Sequence, residues 1–211
     1  MKKIVVLLFA GCLSCGVSIA DESAQDVLTK MRERYESLQD AQFTFSEKTL
    51  FGMTKIEQQV SGTLLLKKEN KYRIELNGRT IVTDGKTVWS YSAQNNQVLI
   101  DDFKMDERSI SPQRILAGAP EDYVPTLLGR EKSGKLDLIV LKLLPRDEQS
   151  FIKSMKVWVD DDEWMVRKVE LVEAGGKQTV YVVDDVKVNI GVTDSRFAYE
   201  IPQGADVVDL R

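Results

Sequence analysis

Between Phe43 and Tyr91 the chain is cut into short apolar or alternating runs: 43–48, 62–68, 71–76 and 81–91, with Asn, Gly and Asp at the breaks. Runs of this length with such punctuation predict antiparallel hairpins joined in one sheet. Asn77-Gly78 and Asp84-Gly85 are the sharpest turn signals, because both central positions of a tight hairpin turn need a positive φ. No nucleophile, metal cluster or phosphate loop accompanies these strands, so function has to be sought in what an apolar sheet surface can hold. The pattern predicts strands at about 41–50, 55–67, 70–77, 79–84, 87–92 and 97–101, then 136–144, 151–160, 163–173 and 177–190, with a short one near 196–200.

Two departures from strand periodicity stand out. Val27, Met31, Tyr35 and Leu38 recur at three- and four-residue spacing among charged residues, which predicts an amphipathic helix over 22–39 capped by Asp21 or Ser23. Residues 102–130 carry Pro112, Pro120, Pro125, Gly118 and Gly129 around the apolar pairs Ile115-Leu116 and Leu127-Leu128. Ser111-Pro112 reads as a helix start. This stretch is expected to form two short helices, 111–117 and 121–128. The tail from Ile201 is expected to lie beyond the sheet.

The first 20 residues read as a secretory leader. Lys2 and Lys3 precede an apolar stretch from Ile4, and Ser18-Ile19-Ala20 offers small residues at a cleavage site. Cleavage after Ala20 would remove Cys12 and Cys15, the only two cysteines of the chain, so the exported domain 21–211 would have no disulfide. Phe9-Ala10-Gly11-Cys12 also resembles a lipobox, and a lipidated Cys12 would leave the protein membrane-anchored. There are 33 acidic and 29 basic residues, a net charge of −4. That balance, without a basic run, speaks against nucleic acid or an anionic membrane surface as partner. The chain has no histidine, which weakens acid–base and zinc chemistry. The expectation is a single non-enzymatic domain with no metal and no cofactor. Asp160-Asp161-Asp162-Glu163 lacks the spacing of a calcium loop and reads as a solvated hairpin turn, and Gly85-Lys86-Thr87 lacks the upstream glycine of a phosphate loop.

The aromatic residues Phe43, Phe45, Tyr72, Trp89, Tyr91, Trp158 and Trp164 are spread over many strands. Helices covering one face of a bent sheet would leave either a packed core or a ligand cavity, and periodicity does not separate the two.

The order of motifs resembles the LolA family of outer-membrane lipoprotein carriers. An amphipathic helix is followed by Phe45-Ser-Glu-Lys48, Gly62-Thr-Leu-Leu-Leu-Lys-Lys68 and Tyr72-Arg-Ile74. Ile81-Val-Thr-Asp-Gly-Lys-Thr-Val-Trp-Ser-Tyr91 is similar to the family's SDGKxLWxY strand pair. Leu143-Leu-Pro145, the run Trp164 to Val172, Phe197-Ala-Tyr199 and Pro202-Gln-Gly-Ala-Asp-Val207 then follow in the family's order. The resemblance implies an unclosed antiparallel β-barrel, mainly β with helices, covered by the N-terminal helix and a short helical lid over an apolar cavity. It implies a monomeric periplasmic carrier that takes acylated lipoproteins from an inner-membrane ABC-type releasing complex to an outer-membrane acceptor. With alternation, it places Leu64, Leu66, Tyr72, Ile74, Leu76, Trp89 and Tyr91 on the cavity face and Ile115, Leu116, Leu127 and Leu128 in the lid. Many members have Arg-Pro, whose arginine holds the lid, where this chain has Lys68-Glu69; Lys68 is the candidate latch, but it lacks arginine's planar fork, so the resemblance does not carry the latch over. A lipid-sensing interaction module and a membrane-anchored acceptor are the alternative roles for such a half-barrel.

Overall fold

The computed structural model describes residues 23–52, 54–104 and 122–211. The leader 1–20, Cys12 and the expected lid helix 111–117, with Ile115 and Leu116, lie outside the described residues. One α-helix, α1 (Ala24–Ser37), precedes twelve strands: β1 (Asp40–Leu50), β2 (Glu57–Lys67), β3 (Lys71–Leu76), β4 (Arg79–Asp84), β5 (Thr87–Ser92), β6 (Gln97–Asp102), β7 (Tyr123–Ser133), β8 (Leu136–Pro145), β9 (Ile152–Asp160), β10 (Val166–Glu173), β11 (Gln178–Val188) and β12 (Asp206–Asp209). They form one open sheet in the order β12-β6-β5-β4-β3-β2-β1-β11-β10-β9-β8-β7. The unclosed β-barrel expected from the sequence is the architecture observed.

Local chemistry explains the start. Ser23 caps α1 with a reciprocal pair: Asp26 N donates to Ser23 Oγ (3.1 Å) and Ser23 N donates to Asp26 Oδ2 (3.1 Å). The helix buries Val27, Leu28 and Met31. Two meanders follow, β1 to β6 and β7 to β11. Asn77-Gly78 turns β3 into β4, with Gly78 at φ +74°. Asp84 Oδ1 accepts from the amides of Lys86 and Thr87, which shapes the next turn.

Three expectations fail. The expected lid helix 121–128 is not observed over its described residues, 122–128: Leu127 and Leu128 sit on β7, exposed, and pair toward β8 around a bulge between Leu127 and Gly129. Pro125 signals a helix boundary in sequence, but β7 is the outermost strand, where proline's missing N–H costs no ladder bond. No strand forms at 196–200; Asp194–Phe197 is a 3-10 turn whose Phe197 is buried. The tail does not leave the sheet, because β12 pairs parallel with β6, Asp206 opposite Gln97.

The route of that tail is set at one corner. Asp40, buried at the start of β1, accepts from the amides of Ile190 (2.8 Å), Gly191 (3.1 Å) and Val192 (3.1 Å). Lys67 Nζ then donates to Val192 O (2.8 Å) and pairs with Asp194. The chain is thereby turned from β11 across the outer face, where the 3-10 turn packs on β3 and β4 and Tyr199 stacks on Trp89 at 6.4 Å.

The acidic turn after β9 is only partly solvated. Asp160 is 2% exposed and accepts from Arg167 Nε (3.0 Å) and Nη2 (2.7 Å) and from the amides of Asp162 and Glu163. Burial pushes its carboxyl up, but the guanidinium and the two amides outweigh burial and hold it below the ordinary carboxylate range. A depressed folded pKa stabilises above the unfolded value, near 4, and that contribution is lost as pH falls through the folded value. Asp160→Asn is expected to cost about 2 kcal/mol in urea unfolding at neutral pH, since it leaves the half-buried Arg167 guanidinium without its carboxylate. The gap between variant and wild type should narrow at about pH 3; an equal gap at both pH values would contradict this account.

Candidate functional site

Register decides which side chains share a face. Phe43 lies opposite Leu64, Leu64 opposite Ile74, and Ile74 opposite Ile81. One step along, Phe45 faces Gly62, Gly62 faces Leu76 and Leu76 faces Arg79. On the other side of β1, Phe43 pairs with Val186, Phe45 with Val183 and Glu47 with Tyr181, and Tyr181 pairs onward with Val169. These residues form an inner face, the side on which the helix lies. Leu64, Leu66 and Tyr72 are buried there with Phe43 and Phe45, and Ile74 and Leu76 pack against them half-buried. Trp89 and Tyr91 do not belong to this face. They pair with Val82 and Thr80, which alternate with Ile81 and so point outward. The one-residue step between Ile81 and Val82 moves both aromatics to the outer side, where Trp89 meets Tyr199.

The inner face carries two apolar cores. One joins α1 to Ile139, Leu141, Leu143, Val157, Val159, Val166, Val169 and Leu171; the other joins β1, β2 and β3 through Phe43, Phe45, Leu64, Leu66 and Tyr72, with Leu38 and Met165. Tyr181 packs against both. At the seam between them is a cavity of about 330 Å³, walled by Phe43, Phe45, Leu64, Ile74, Leu76 and Ile81 on one side and by Val166, Val169, Tyr181 and Val183 on the other. β4 and β10 are five strand spacings apart in the sheet order, roughly 24 Å if flat. Side chains from both line one small cavity, so the sheet is strongly curled here. The volume lies at the low end of the range for small-molecule sites, about 300–1,000 Å³.

The cavity has a polar end. Glu47, Arg79 and Lys177 line it beside the hairpin ends of β1–β2, β3–β4 and β10–β11. Lys177 pairs with Glu173 at 2.9 Å, and Glu47 accepts from Thr49 Oγ1 at 3.1 Å. Burial first, and then the neighbouring carboxylates of Glu47 and Glu173, push the Tyr181 phenol far above its ordinary range. Its hydroxyl therefore stays protonated and is directed at the Glu47 carboxylate. Sequence reasoning missed Phe43, Phe45, Ile81, Tyr181 and Val183 as cavity walls. Phe43 and Phe45 alternate with the right parity and could have been found; Tyr181 is placed by a strand paired across the whole chain.

Lys68 is exposed at the turn between β2 and β3, its amide donating to Gln39 O (3.3 Å). It borders a separate hollow of about 410 Å³ with Tyr35, Leu38 and Leu66. This hollow lies at the opposite end of the inner face from Arg79, and of the two the seam cavity is the one walled by both cores. Among the described residues no group of Asp, Glu, His and Cys is arranged to hold a metal, and no helix is long and apolar enough to cross a membrane.

Gly62 keeps the seam open. A Cβ there would lie 2.5 Å from Glu75 O, 2.7 Å from Leu76 Cδ2 and 3.1 Å from Phe45 Cζ. Gly62→Ala is expected to cost about 1–3 kcal/mol through strand displacement and crowding and to reduce binding of apolar probes in the cavity. A urea unfolding curve and an apolar fluorophore titration test both; unchanged values would mean that β2 and β3 relax apart freely.

Comparison with known proteins agrees with this geometry. The family described as "Outer membrane lipoprotein carrier protein LolA" matches residues 36–200. An outer-membrane lipoprotein carrier protein of Hahella chejuensis is 28% identical over 98% of this chain and 98% of its own length. One from Azotobacter vinelandii is 26% identical over 97% of each chain. An uncharacterized conserved protein from Thermus thermophilus, solved as a crystal structure, shares the fold at a TM-score of 0.61 and 16% identity, covering 88% of this chain and 98% of that one. With the family match running from the end of the helix to the stretch after the 3-10 turn, the chain belongs to the LolA family of outer membrane lipoprotein carrier proteins.

Proposed function

We propose that this protein is a periplasmic, monomeric carrier that receives a lipoprotein's acyl chains from an inner-membrane ABC-type releasing complex and hands them to an outer-membrane acceptor. The observation that carries the reading is the apolar cavity at the seam of two cores on the inner face of a curled, open sheet. Family membership and the names of the curated relatives support the same reading.

The physics suits transport and needs no catalysis. Acyl tails make no hydrogen bonds, so binding them takes dry area. Each buried methylene contributes about 0.8 kcal/mol, and leaving one long chain in water costs on the order of 10 kcal/mol. A carrier must also release its load, which a tightly packed core would prevent. Two cores that meet at a seam can separate there while each stays intact. In this proposal the leader 1–20 is removed after Ala20, and Ile115 and Leu116 cover the cavity. Leu127 and Leu128 are not part of that cover, since they lie on the edge strand β7.

Native mass spectrometry of the protein isolated from its own periplasm tests the reading. A mature chain beginning at Asp21 with a lipoprotein adduct that passes to a membrane acceptor is the expected result. A chain that stays empty when lipoprotein is supplied would overturn it. Leu64→Glu, which puts a carboxylate into the cavity wall, should reduce lipoprotein uptake at least tenfold while the sheet's circular dichroism persists. Full uptake would remove β2 from the site.

A further inference from the structure

The seam cavity is polarised along the strands, and a uniform apolar groove would not be. The row Phe43, Leu64, Ile74 and Ile81 is wholly apolar. The row nearer the hairpins ends in Arg79, and the next position on β1 is Glu47. Lys177 enters from the β10–β11 turn at the same end. The charges there are not equivalent. Lys177 is already paired with Glu173. Glu47 is engaged by Thr49 and lies against Tyr181. Arg79 is exposed and, among the described residues, has no ion-pair or hydrogen-bond partner. An apolar pocket whose mouth holds one uncommitted guanidinium is matched by a single alkyl chain with an anionic oxygen head.

We propose that Arg79 is a head-group residue: the cavity takes an anionic amphiphile with its alkyl chain toward Phe43 and Leu64 and its carboxylate or phosphate oxygens on the Arg79 guanidinium at the hairpin end. The planar fork of arginine fits either oxyacid with two parallel hydrogen bonds, which a lysine would not reproduce. The carboxylate of Glu47 and the Tyr181 hydroxyl fix the rest of the mouth. Glu47 repels an anion that enters off-axis, and the Tyr181 hydroxyl, directed at Glu47, holds that carboxylate in place and leaves Arg79 to meet the head group. This inference rests on the acyl-cavity reading and goes beyond the lipoprotein cargo, whose ester- and amide-linked acyl chains carry no anionic oxygen: it adds a second class of ligand, an anionic amphiphile, and its direction of entry.

Three probes of equal chain length separate the terms when titrated below their micelle concentrations: tetradecanoate, tetradecyl phosphate and the neutral tetradecanamide. Wild type is expected to bind at least one anion about fivefold tighter than the amide at low salt, with the preference shrinking as salt screens it. Arg79→Gln should bring that ratio close to one with amide affinity unchanged, and Arg79→Lys should restore only part of it. Whichever anion binds tighter names the head group. Equal binding of all three by wild type, or a preference that survives in Arg79→Gln, would overturn the assignment and leave the acyl cavity standing. Failure of all three probes to bind would overturn the cavity reading and this inference together. Because Arg79 is exposed, loss of the fold does not confound the variants.

Discussion

Everything in this structure hangs on the two-sided pairing of β1. Along one edge it bonds β2, from Asp40–Lys67 to Leu50–Glu57; along the other it bonds β11, from Ala41–Val188 to Leu50–Gln178. The first pairing is a local hairpin. The second joins partners from opposite ends of the sequence, as the hydrogen bond from the Gln39 amide to Asn189 Oδ1, 150 positions away, makes plain. Without it there would be two separate meanders, each with an exposed apolar face and an open edge. With it the two inner faces become continuous, and the sheet can curl around one interior. A pairing of such sequence distance is entropically slow to form, so folding of this chain should be governed by that step.

The same junction creates the seam. Each meander brings its own core: α1 packs on the strands from β8 to β10, while the aromatic cluster of Phe43, Phe45 and Tyr72 belongs to β1, β2 and β3. Two cores that formed over one continuous surface would fuse if the helix reached across both. α1 ends at Ser37, and its last turn leaves only Tyr35 and then Leu38 to touch the second core. The remaining gap is the cavity, and Gly62 helps to keep it by omitting a side chain where Phe45 and Leu76 already converge.

The outer face is closed by different means. Beyond β11 the chain is gripped by the Asp40 carboxylate and by Lys67, laid across β3 and β4, and finally hydrogen-bonded as β12 along β6. This strap buries Phe197 and covers what would otherwise be an exposed sheet edge. At the opposite end of the sheet, β7 remains an edge, protected by a bulge, by Pro125 and by charged residues toward its end. Trp158 shows how the outer face can be dressed without a second layer: its Nε1 donates to Glu131, and the ammonium groups of Lys156 and Lys168 lie over its ring.

Much of this was written locally and could be read as such. Strand runs, the Asn77-Gly78 turn and the amphipathic stripe of α1 depend on residues within a few positions of one another, and their expected bounds fall close to those observed. Alternation also put Leu64, Leu66, Tyr72, Ile74 and Leu76 on a common face, because strands β2 and β3 are joined by a tight turn that fixes their register. The chain alone could not place Trp89 and Tyr91. Their parity follows from the pairing of β4 with β5, where one position separates the inner Ile81 from the outer Val82. Nor could it show that Pro125 sits on an edge, where proline is harmless, or that residues 206–209 find a parallel partner 109 positions upstream at Gln97–Ile100. Sequence determined the elements and most of their faces, since those follow from local turn chemistry and period. Tertiary structure decided the cavity, its polar end and the outer strap, since each is made by groups that meet only when β1 and β11 have paired.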